Sequence, residues 1–270
     1  MKNKTPKSAG LIDFIRLNKA LTTRLLGTDF WYFEKLASTN TLVKKMPAEL
    51  VLPGLVCVAG MQHAGRGQRQ NRWLTAENNA LTFSVVFKPA DDASLPMLLQ
   101  LSAYAVVSAI KKHCAVNATL KWPNDVLVGG KKVCGILAES TFIGSELERF
   151  VIGIGINTND APVSQVGDYA VSLGSILDRC IDHTDLLAAV LNELEEQYIA
   201  RKTQLKQQLL EINRLHRGYG QLNYIKTEGV LLDGKYKFLG LDLTGYPVFL
   251  DEEDNVKRFT KQDIRFEPVS

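Results

Sequence analysis

Residues 65–73, GRGQRQNRW, combine two glycines with three arginines in a pattern suited to binding an anion. Glycine lets the backbone approach a ligand closely, and the arginine guanidinium offers forked hydrogen-bond donors. The stretch follows an apolar run, which is where ligand-binding loops commonly lie. It matches neither the GxxxxGK[ST] phosphate loop nor the GxGxxG dinucleotide fingerprint. Taken alone, the residues suit an anion-binding loop, but a solvated basic loop is the interpretation they favour.

Residues 121–139, KWPNDVLVGGKKVCGILAE, place an amide and a carboxylate where a strand should be apolar. Two apolar runs flank the Gly-Gly-Lys-Lys turn, which predicts a hairpin. A buried Asn or Asp needs a partner, because an unpaired polar group costs free energy. Asn124 and Asp125 therefore indicate either a contact to nucleotide or magnesium, or a local Asx-turn after Pro123. Either Lys131 or Lys132 is placed to neutralise a ligand carboxylate, and the spacing alone does not choose between them.

Residues 153–159, GIGINTN, form the third candidate site. Small residues at the end of a strand permit a ligand to approach the backbone closely, and Asn157 would hydrogen-bond it. A β-turn with an asparagine in the left-handed conformation explains the same residues.

These stretches need a scaffold, and the periodicity of the apolar residues predicts one. Strands are predicted for residues 30–36, 55–61, 80–87, 120–128, 132–139 and 150–156. Helices are predicted for residues 11–26, from Ser38 past Met46, for 94–114 and, as one helix or a pair, for 183–216. From about Gly218, short β-like runs punctuated by Gly, Asp and Asn predict a small all-β barrel or meander. The fold class expected is α+β, with a second β domain.

Composition limits the class of protein. The chain is 46% hydrophobic and 23% charged, as in ordinary globular proteins, and its net charge of +3 is too weak to indicate a nucleic-acid partner. The four scattered histidines form no HExxH or triad pattern, and no cysteine pair is spaced as CxxC, which favours buried thiols in a reducing compartment. The polar, basic N-terminus has no apolar segment of signal or membrane length, so we expect a soluble cytoplasmic protein.

The order of the motifs resembles that of biotin protein ligases. The motifs are S-T-N at 38–40, Q-x-A-G-R-G-x-R-x-x-R-W at 62–73, K-W-P-N-D followed by a lysine and G-I-L-x-E, and G-I-N-x-N. The resemblance covers about residue 30 to the end. It implies a class II synthetase-like catalytic domain over 28–217, with a mixed sheet and flanking helices. An SH3-like β barrel would follow over 218–270, and residues 1–27 would form a leader and a short helix.

The resemblance also implies the two halves of a site. The biotin half would comprise Ser38, Thr39, Asn40, Gln62, Arg66, Gly67, Gln68, Lys132 and Gly135. The nucleotide half would comprise Arg69, Arg72, Trp73, Asn124, Asp125 and Asn157. Lys132 would meet the biotin carboxylate and act in catalysis with Arg66. Asp125 would hold Mg²⁺, and Trp73 would stack on adenine.

Two departures from the family pattern affect these expectations. The family often reads GRGRxGR, whereas this chain has Gln68 and Gln70, so the residues do not settle whether Arg69 or Arg72 reaches the phosphate. Only 37 residues precede Ser38, too few for the winged helix-turn-helix module of the bifunctional members. We therefore expect a monofunctional ligase.

The implied reaction joins biotin and ATP into biotinyl-5′-AMP, releases pyrophosphate, and passes the biotinyl group to a lysine of a biotin carboxyl carrier protein domain. Because the partner supplies the nucleophile, the chain needs no Ser, Cys or His triad of its own. No nucleic acid or membrane partner is expected, and a homodimer is left open. The alternatives are a lipoate–protein ligase of the same fold and a non-catalytic biotin-binding regulator.

Overall fold

The computed structural model describes residues 11–74, 79–87, 94–160, 169–261 and 263–269. A seven-stranded sheet has the order β1-β2-β3-β7-β6-β5-β4. Its strands are β1 Asp29–Leu36, β2 Leu55–Gln62, β3 Ala80–Phe87, β4 Thr119–Lys121, β5 Asp125–Val128, β6 Lys131–Ile143 and β7 Glu146–Asn157. The β1–β2 pair is parallel and the other pairs are antiparallel, so the sheet is mixed. The predicted leader at 1–10 lies outside the described residues.

Helices cover the two faces of this sheet. They are α1 Phe14–Ala20, α2 Thr39–Lys45, α3 Leu95–Cys114, α4 Leu173–Leu177 and α5 His183–Leu215. The larger core cluster joins the apolar residues of α3 and α5 to one face, and a smaller cluster around Val43 joins α2 to the other. All eight residues of β3 are buried, as expected for a strand covered on both faces. Residues 183–215 are helical throughout, but the helix bends between Gln197 and Gln208, because the Gln208 amide donates to the Gln197 carbonyl at 2.9 Å.

The N-terminal helix is shorter than the predicted span of 11–26. It ends at Ala20, and the next residues are held by a side chain of α5. The Glu195 carboxylate accepts the backbone N–H groups of Arg24, Leu25 and Leu26 at 2.6, 2.8 and 2.7 Å. These N–H groups bond to a carboxylate from a distant helix, which periodicity within the segment does not reveal.

The predicted strand 120–128 is two strands. Residues 119–121 and 125–128 pair with each other in antiparallel fashion, with Lys121 opposite Asp125, and Trp122-Pro123-Asn124 forms the tight connection between them. The Pro123 bond is cis. Asn124 therefore lies in the turn of an additional hairpin and Asp125 begins its second strand, so neither residue interrupts a strand.

A second, antiparallel sheet is built by the C-terminal residues. Its strands are β8 Leu222–Thr227, β9 Val230–Leu231, β10 Tyr236–Leu241, β11 Pro247–Leu250, β12 Val256–Arg258 and β13 Arg265–Pro268. Phe238, Phe249 and Phe266 pack together at its centre with ring centroids 4.6 to 5.0 Å apart. This curled sheet and the mixed sheet confirm the predicted α+β class, while the domain boundaries and the SH3-like description stay predictions. No helix among the described residues is long and apolar enough to span a membrane.

The cysteines are free thiols. Cys57, Cys114 and Cys134 are buried, as predicted, whereas Cys180 is exposed. Burial raises the pKa of Cys57 to about 12, so this thiol stays protonated and unreactive.

Two buried histidines are expected to make the fold acid-sensitive. Burial lowers the pKa of His183 to about 4 and that of His216 to about 3. Below the ordinary value of 6.5, the unfolded chain binds protons at these rings that the folded chain does not, so the free energy of unfolding falls as the pH falls. Each ring contributes about 1.4 kcal/mol per pH unit once the pH is well below 6.5. Denaturant unfolding of His216→Phe between pH 7 and 5 should show roughly half of the wild-type slope; an equal slope would contradict this assignment.

Candidate functional site

The floor of the site is a patch of small residues on one face of the mixed sheet. Strand period two places Gly135, Leu137 and Glu139 of β6 on this face. Across β7, Gly135 lies opposite Gly155 and Leu137 opposite Gly153. A Cβ on Gly153 would overlap the Asn40 side chain, and a Cβ on Gly155 would overlap the Trp73 indole. The glycines therefore leave room for side chains from two other elements to lie against the sheet.

The start of α2 supplies one wall, and its polar side chains are buried and hydrogen-bonded. Ser38 caps the helix, and its hydroxyl accepts the Thr41 N–H at 3.4 Å. Gln62, at the end of β2, accepts the Thr39 N–H at 2.8 Å. The Ser84 hydroxyl on β3 lies 2.6 Å from both the Thr39 hydroxyl and the Asn40 amide oxygen. This network fixes four of the predicted residues, Ser38, Thr39, Asn40 and Gln62, in one rigid polar wall.

Glu139 joins this wall to the arginine loop. One carboxylate oxygen lies 2.7 Å from the Lys44 ammonium and 3.1 Å from the Arg66 guanidinium, and the other accepts the Asn40 amide at 3.1 Å. Burial raises the pKa of Glu139, but the hydrogen bonds of Lys44 and Asn40 and the charges of Lys44 and Arg66 outweigh it, so the pKa lies below its ordinary value. The carboxylate is therefore ionised at neutral pH and holds Arg66 at the edge of the polar wall.

The arginine loop folds as a narrow turn over the floor. The Trp73 N–H donates to the Gly65 carbonyl at 3.0 Å, and the Gly67 N–H donates to the Asn71 carbonyl at 2.7 Å. A Cβ on Gly65 would overlap the Trp73 carbonyl, so glycine is required there. The turn brings the Trp73 indole down onto the two glycines of the floor, with the Lys132 ammonium 5.7 Å from the ring centroid.

The side chains of the loop separate in two directions. Gln68 accepts a hydrogen bond from Arg265 of β13 at 2.9 Å, and Arg69 donates to the Asp263 carbonyl. Arg69 is in the left-handed region, with φ 53° and ψ 46°. Arg72 instead lines the cavities described below. The loop thus leans on the C-terminal sheet through Gln68 and Arg69 and presents Arg72 to the site.

The 122–125 turn brings an amide and a carboxylate to the opposite wall. The Asn124 amide donates to the Ile136 carbonyl at 2.8 Å, so the side chain reaches across to β6. Asp125 lies 2.6 Å from the Lys132 ammonium. Lys132, and not the exposed Lys131, is therefore the lysine that points into the site.

Asn157 is buried at the end of β7. It is not left-handed, and its amide donates to the Lys132 and Val171 carbonyls at 3.4 and 3.3 Å. It therefore supports the backbone of Lys132, and it also lines the cavity beside it.

Two adjoining cavities of about 320 and 240 Å³ connect these groups. They share Arg72, Trp73, Lys121, Asp125 and Lys132, and the second also reaches Arg66, Asn124 and Arg265. A third space of about 30 Å³ lies between the α2 wall, Gln62, Arg66 and Trp73. A larger cavity of about 930 Å³ lies between α3, α5 and residues 243–244 and contains none of the candidate residues. The structure thus brings all the sequence-predicted residues to one region except Arg69, which turns toward the C-terminal sheet.

The region has few metal ligands. Among the described residues, no cluster of three or more His, Cys, Asp or Glu side chains is arranged around a common point. The single carboxylate of Asp125 does not form a metal cage, but it suits Mg²⁺, which commonly binds one or two protein carboxylates together with substrate phosphates.

The sequence missed Glu139, Lys44 and Arg265 as site residues. Glu139 had a usable signal, because it lies two and four residues after Leu137 and Gly135 and so shares their face of the strand. Lys44 and Arg265 gave no local signal, since their partners lie 95 and 197 residues away.

Known proteins similar to this chain include several biotin ligases. The chain is 29% identical to the bifunctional ligase/repressor BirA of Bacillus subtilis (strain 168), over 96% of this chain and 80% of that protein. It is 37% identical to the biotin–[acetyl-CoA-carboxylase] ligase of Paracoccus denitrificans, over 46% of this chain and 52% of that protein. Its structure resembles the biotin protein ligase of Aquifex aeolicus solved with biotin and ATP, with a TM-score of 0.77 and 25% identity over 90% of this chain and 100% of that one.

The family comparison covers the mixed sheet and its site. Residues 32–157 match the profile described as the biotin/lipoate A/B protein ligase family. This span runs from β1 to the end of β7 and contains every candidate residue named from the sequence motifs. Residues 32–157 therefore form a domain of the biotin/lipoate A/B protein ligase family.

Proposed function

We propose that this chain activates biotin with ATP to biotinyl-5′-AMP, releasing pyrophosphate, and then transfers biotin to a lysine of a biotin carboxyl carrier protein domain. The observation that carries the proposal is that Lys132 and Asp125 line both adjoining cavities, together with arginine and tryptophan side chains. Arg66 and Trp73 also line the small space against the buried polar wall of α2, so the two kinds of space adjoin.

The polar wall suits the biotin ring. Its ureido group offers one carbonyl and two N–H groups, and the wall offers hydroxyls and amides that both donate and accept. Since Ser84, Thr39 and Gln62 hold one another at 2.6 to 3.3 Å, these groups are oriented before a ligand arrives. The glycine floor lets an apolar ring lie flat against the sheet.

The cations suit the first chemical step, in which a carboxylate oxygen attacks the α-phosphorus and the bond to pyrophosphate breaks. Two anions must meet, so positive charge must be held where they join. Lys132 is placed to receive the carboxylate, and Arg66 approaches from the loop. Arg72 is the better candidate for the phosphates than Arg69, because it lines both cavities while Arg69 is bonded to Asp263.

The Asp125–Lys132 pair is suited to being separated by ligands. Both side chains are partly exposed, at 26% and 35%, and such a pair contributes only about 0–1 kcal/mol. Lys132 would turn to the biotin carboxylate, and Asp125 would then be free to bind Mg²⁺ carried by ATP. Bound there, the ion would supply positive charge against the phosphate oxygens.

In the second step the acyl-adenylate must be shielded from water, and the partner protein, not this chain, supplies the nucleophile. The acceptor lysine attacks the acyl carbon and AMP leaves. The arginine loop, which crosses the floor and leans on the C-terminal sheet, is placed to keep water from the mixed anhydride. We further propose a cytoplasmic setting, in keeping with four free thiols, and leave a homodimer open.

Glu139→Gln is expected to raise the KM for biotin about tenfold while changing the KM for MgATP by less than about twofold. The amide keeps the shape but loses the charge that holds Arg66 at 3.1 Å. Steady-state kinetics with each substrate varied in turn would check this. Glu146→Gln is the control, since Glu146 is an exposed carboxylate at the start of β7 that lines none of these cavities, and both KM values should stay as in wild type. Equal changes in both KM values would contradict the role of Glu139.

Biotin-dependent ATP–pyrophosphate exchange tests the proposed function and its nearest alternative together. We expect exchange with biotin and none above background with lipoate. Exchange with lipoate alone would replace the proposal by a lipoate ligase, and exchange with neither acid would favour a biotin-binding regulator.

A further inference from the structure

A buried pair of side chains joins the 122–125 turn to α3 and α5. Gln100 of α3 donates its amide N–H to the Pro123 carbonyl at 2.8 Å. The amide oxygen of Gln100 lies 3.0 Å from Nε2 of His216. Gln100 is 1% exposed and His216 is 4% exposed. Neither residue belongs to the sequence motifs, and neither lines the cavities.

The protonation of this pair follows from its partners. A carbonyl only accepts, so Pro123 faces the nitrogen of the Gln100 amide, and the amide oxygen faces His216. His216 must therefore donate from Nε2, and because its pKa lies far below 7 the ring is neutral, with Nδ1 unprotonated. Within the described part of the chain, Nδ1 has no hydrogen-bond partner. Because burial lowers the pKa of His216 to about 3, the ring acts as a fixed donor and not as an acid or base.

His216 lies where three parts of the molecule meet. It follows α5, and the Arg217 N–H donates to the Leu120 carbonyl of β4 at 2.8 Å. Its ring packs edge-on against Phe238 of the C-terminal sheet, with centroids 6.1 Å apart and planes at 85°. The His216 ring thus connects α3, through Gln100, to the C-terminal sheet, and the backbone of the next residue, Arg217, joins them to the strand that leads into the turn.

Packing alone does not account for these residue types. Leucine and phenylalanine would fill the same volumes without removing an amide and an imidazole from water. Here two polar side chains are buried, and Nδ1 of His216 has no partner among the described residues. This burial costs free energy, and the need to hold the turn through these hydrogen bonds would explain why the chain bears that cost. On its other side the turn is already held, since Asn124 and Ile136 exchange hydrogen bonds at 2.8 and 3.0 Å.

We propose that Gln100 and His216 are positioning residues for the nucleotide half of the site. They fix the Pro123 carbonyl and thereby the positions of Asn124 and Asp125. Through the contact of His216 with Phe238, they also link these positions to the C-terminal sheet. The inference rests on the proposed function for the identity of the ligand. It assigns the C-terminal sheet a share in orienting the turn without requiring its residues to touch the ligand.

The test compares Gln100→Leu and His216→Phe with Gln208→Leu. Phenylalanine keeps the ring against Phe238 and removes only the donor. Gln208 is a matched control, because it is a buried amide on α5 whose bonds go to Gln197 of the same helix. We expect the KM for MgATP to rise about tenfold in both test variants and the KM for biotin to stay within about twofold. The control should keep both values, and the double variant should lose no more than the larger single effect.

A spectroscopic measurement that does not depend on enzyme activity reports on the turn directly. Trp122 is buried beside Pro123, so its indole N–H resonance reports the environment of the turn. We expect this resonance to move in both test variants and to stay in Gln208→Leu, while His216→Gln, which keeps an N–H donor, should restore the KM for MgATP. Gln100→Met replaces Gln100→Leu if the latter does not fold.

Folded variants with an unchanged KM for MgATP, or an unmoved Trp122 resonance, would overturn the inference. Equal rises in both KM values would do the same, because they would indicate a general loss of structure. Biotin-dependent ATP–pyrophosphate exchange by the wild-type protein is measured first. If it is absent, the proposed function is wrong, and the Trp122 indole resonance still tests whether Gln100 and His216 position the turn.

Discussion

Lys132→Ala is expected to lower the rate of biotin-dependent adenylation by about a hundredfold to a thousandfold. The ammonium lies 2.6 Å from Asp125 and lines both adjoining cavities, where the proposal brings the carboxylate and the phosphate together. Without it, two anions approach each other with one cation fewer. Pre-steady-state formation of the acyl-adenylate would measure the effect. The fold should survive, because the lysine side chain is 35% exposed and its backbone bonds in β6 do not depend on it.

Lys131→Ala is the matched control for that change. The two lysines are neighbours at the start of β6, but Lys131 is exposed and lines neither cavity. Its replacement should leave adenylation within about twofold of wild type. Normal adenylation by the Lys132 variant, or an equal loss in both variants, would remove Lys132 from the reaction.

Asp125→Asn is expected to raise the KM for MgATP at least about tenfold and to move the Mg²⁺ titration to higher concentration. The amide preserves the shape of the turn but cannot supply a full negative charge to the ion. It also removes the carboxylate that pairs with the Lys132 ammonium, so ATP and biotin would bind in a site with one negative charge fewer. Rates measured at fixed ATP over a range of Mg²⁺ concentrations would show the shift.

Asp233→Asn is the control, since Asp233 is an exposed carboxylate in a loop of the C-terminal sheet. Its Mg²⁺ titration should match that of wild type. If the Asp125 variant also gave an unchanged titration, its proposed contact to the ion would be wrong.

Much of the scaffold is predictable from local pattern. The apolar runs place β2, β3 and β7 to within a few residues, and Ser38 marks the start of α2 because its hydroxyl caps the helix. The choice of Lys132 over Lys131 follows from the family register, and strand period two would have added Glu139. These features depend on residues close together in the chain, which sequence patterns capture well.

The rest depends on contacts that only the assembled sheet creates. β7 lies between β3 and β6, so Gly153 and Gly155 form a floor under Asn40 and Trp73 from distant parts of the chain. The 122–125 turn looks like a broken strand until the β4–β5 hairpin is known. Gln100 and His216 are 116 residues apart, and neither lies in a motif. Long-range polar pairs of this kind leave no periodic trace in the sequence.

Intact mass spectrometry of a biotin carboxyl carrier protein domain, incubated with this protein, biotin and MgATP, tests the central claim most directly. We expect the carrier to gain the mass of one biotinyl group, and to gain nothing when ATP is omitted or when its acceptor lysine is replaced. A carrier that stays unmodified, with the protein folded and both substrates present, would contradict the assignment of ligase activity to this site.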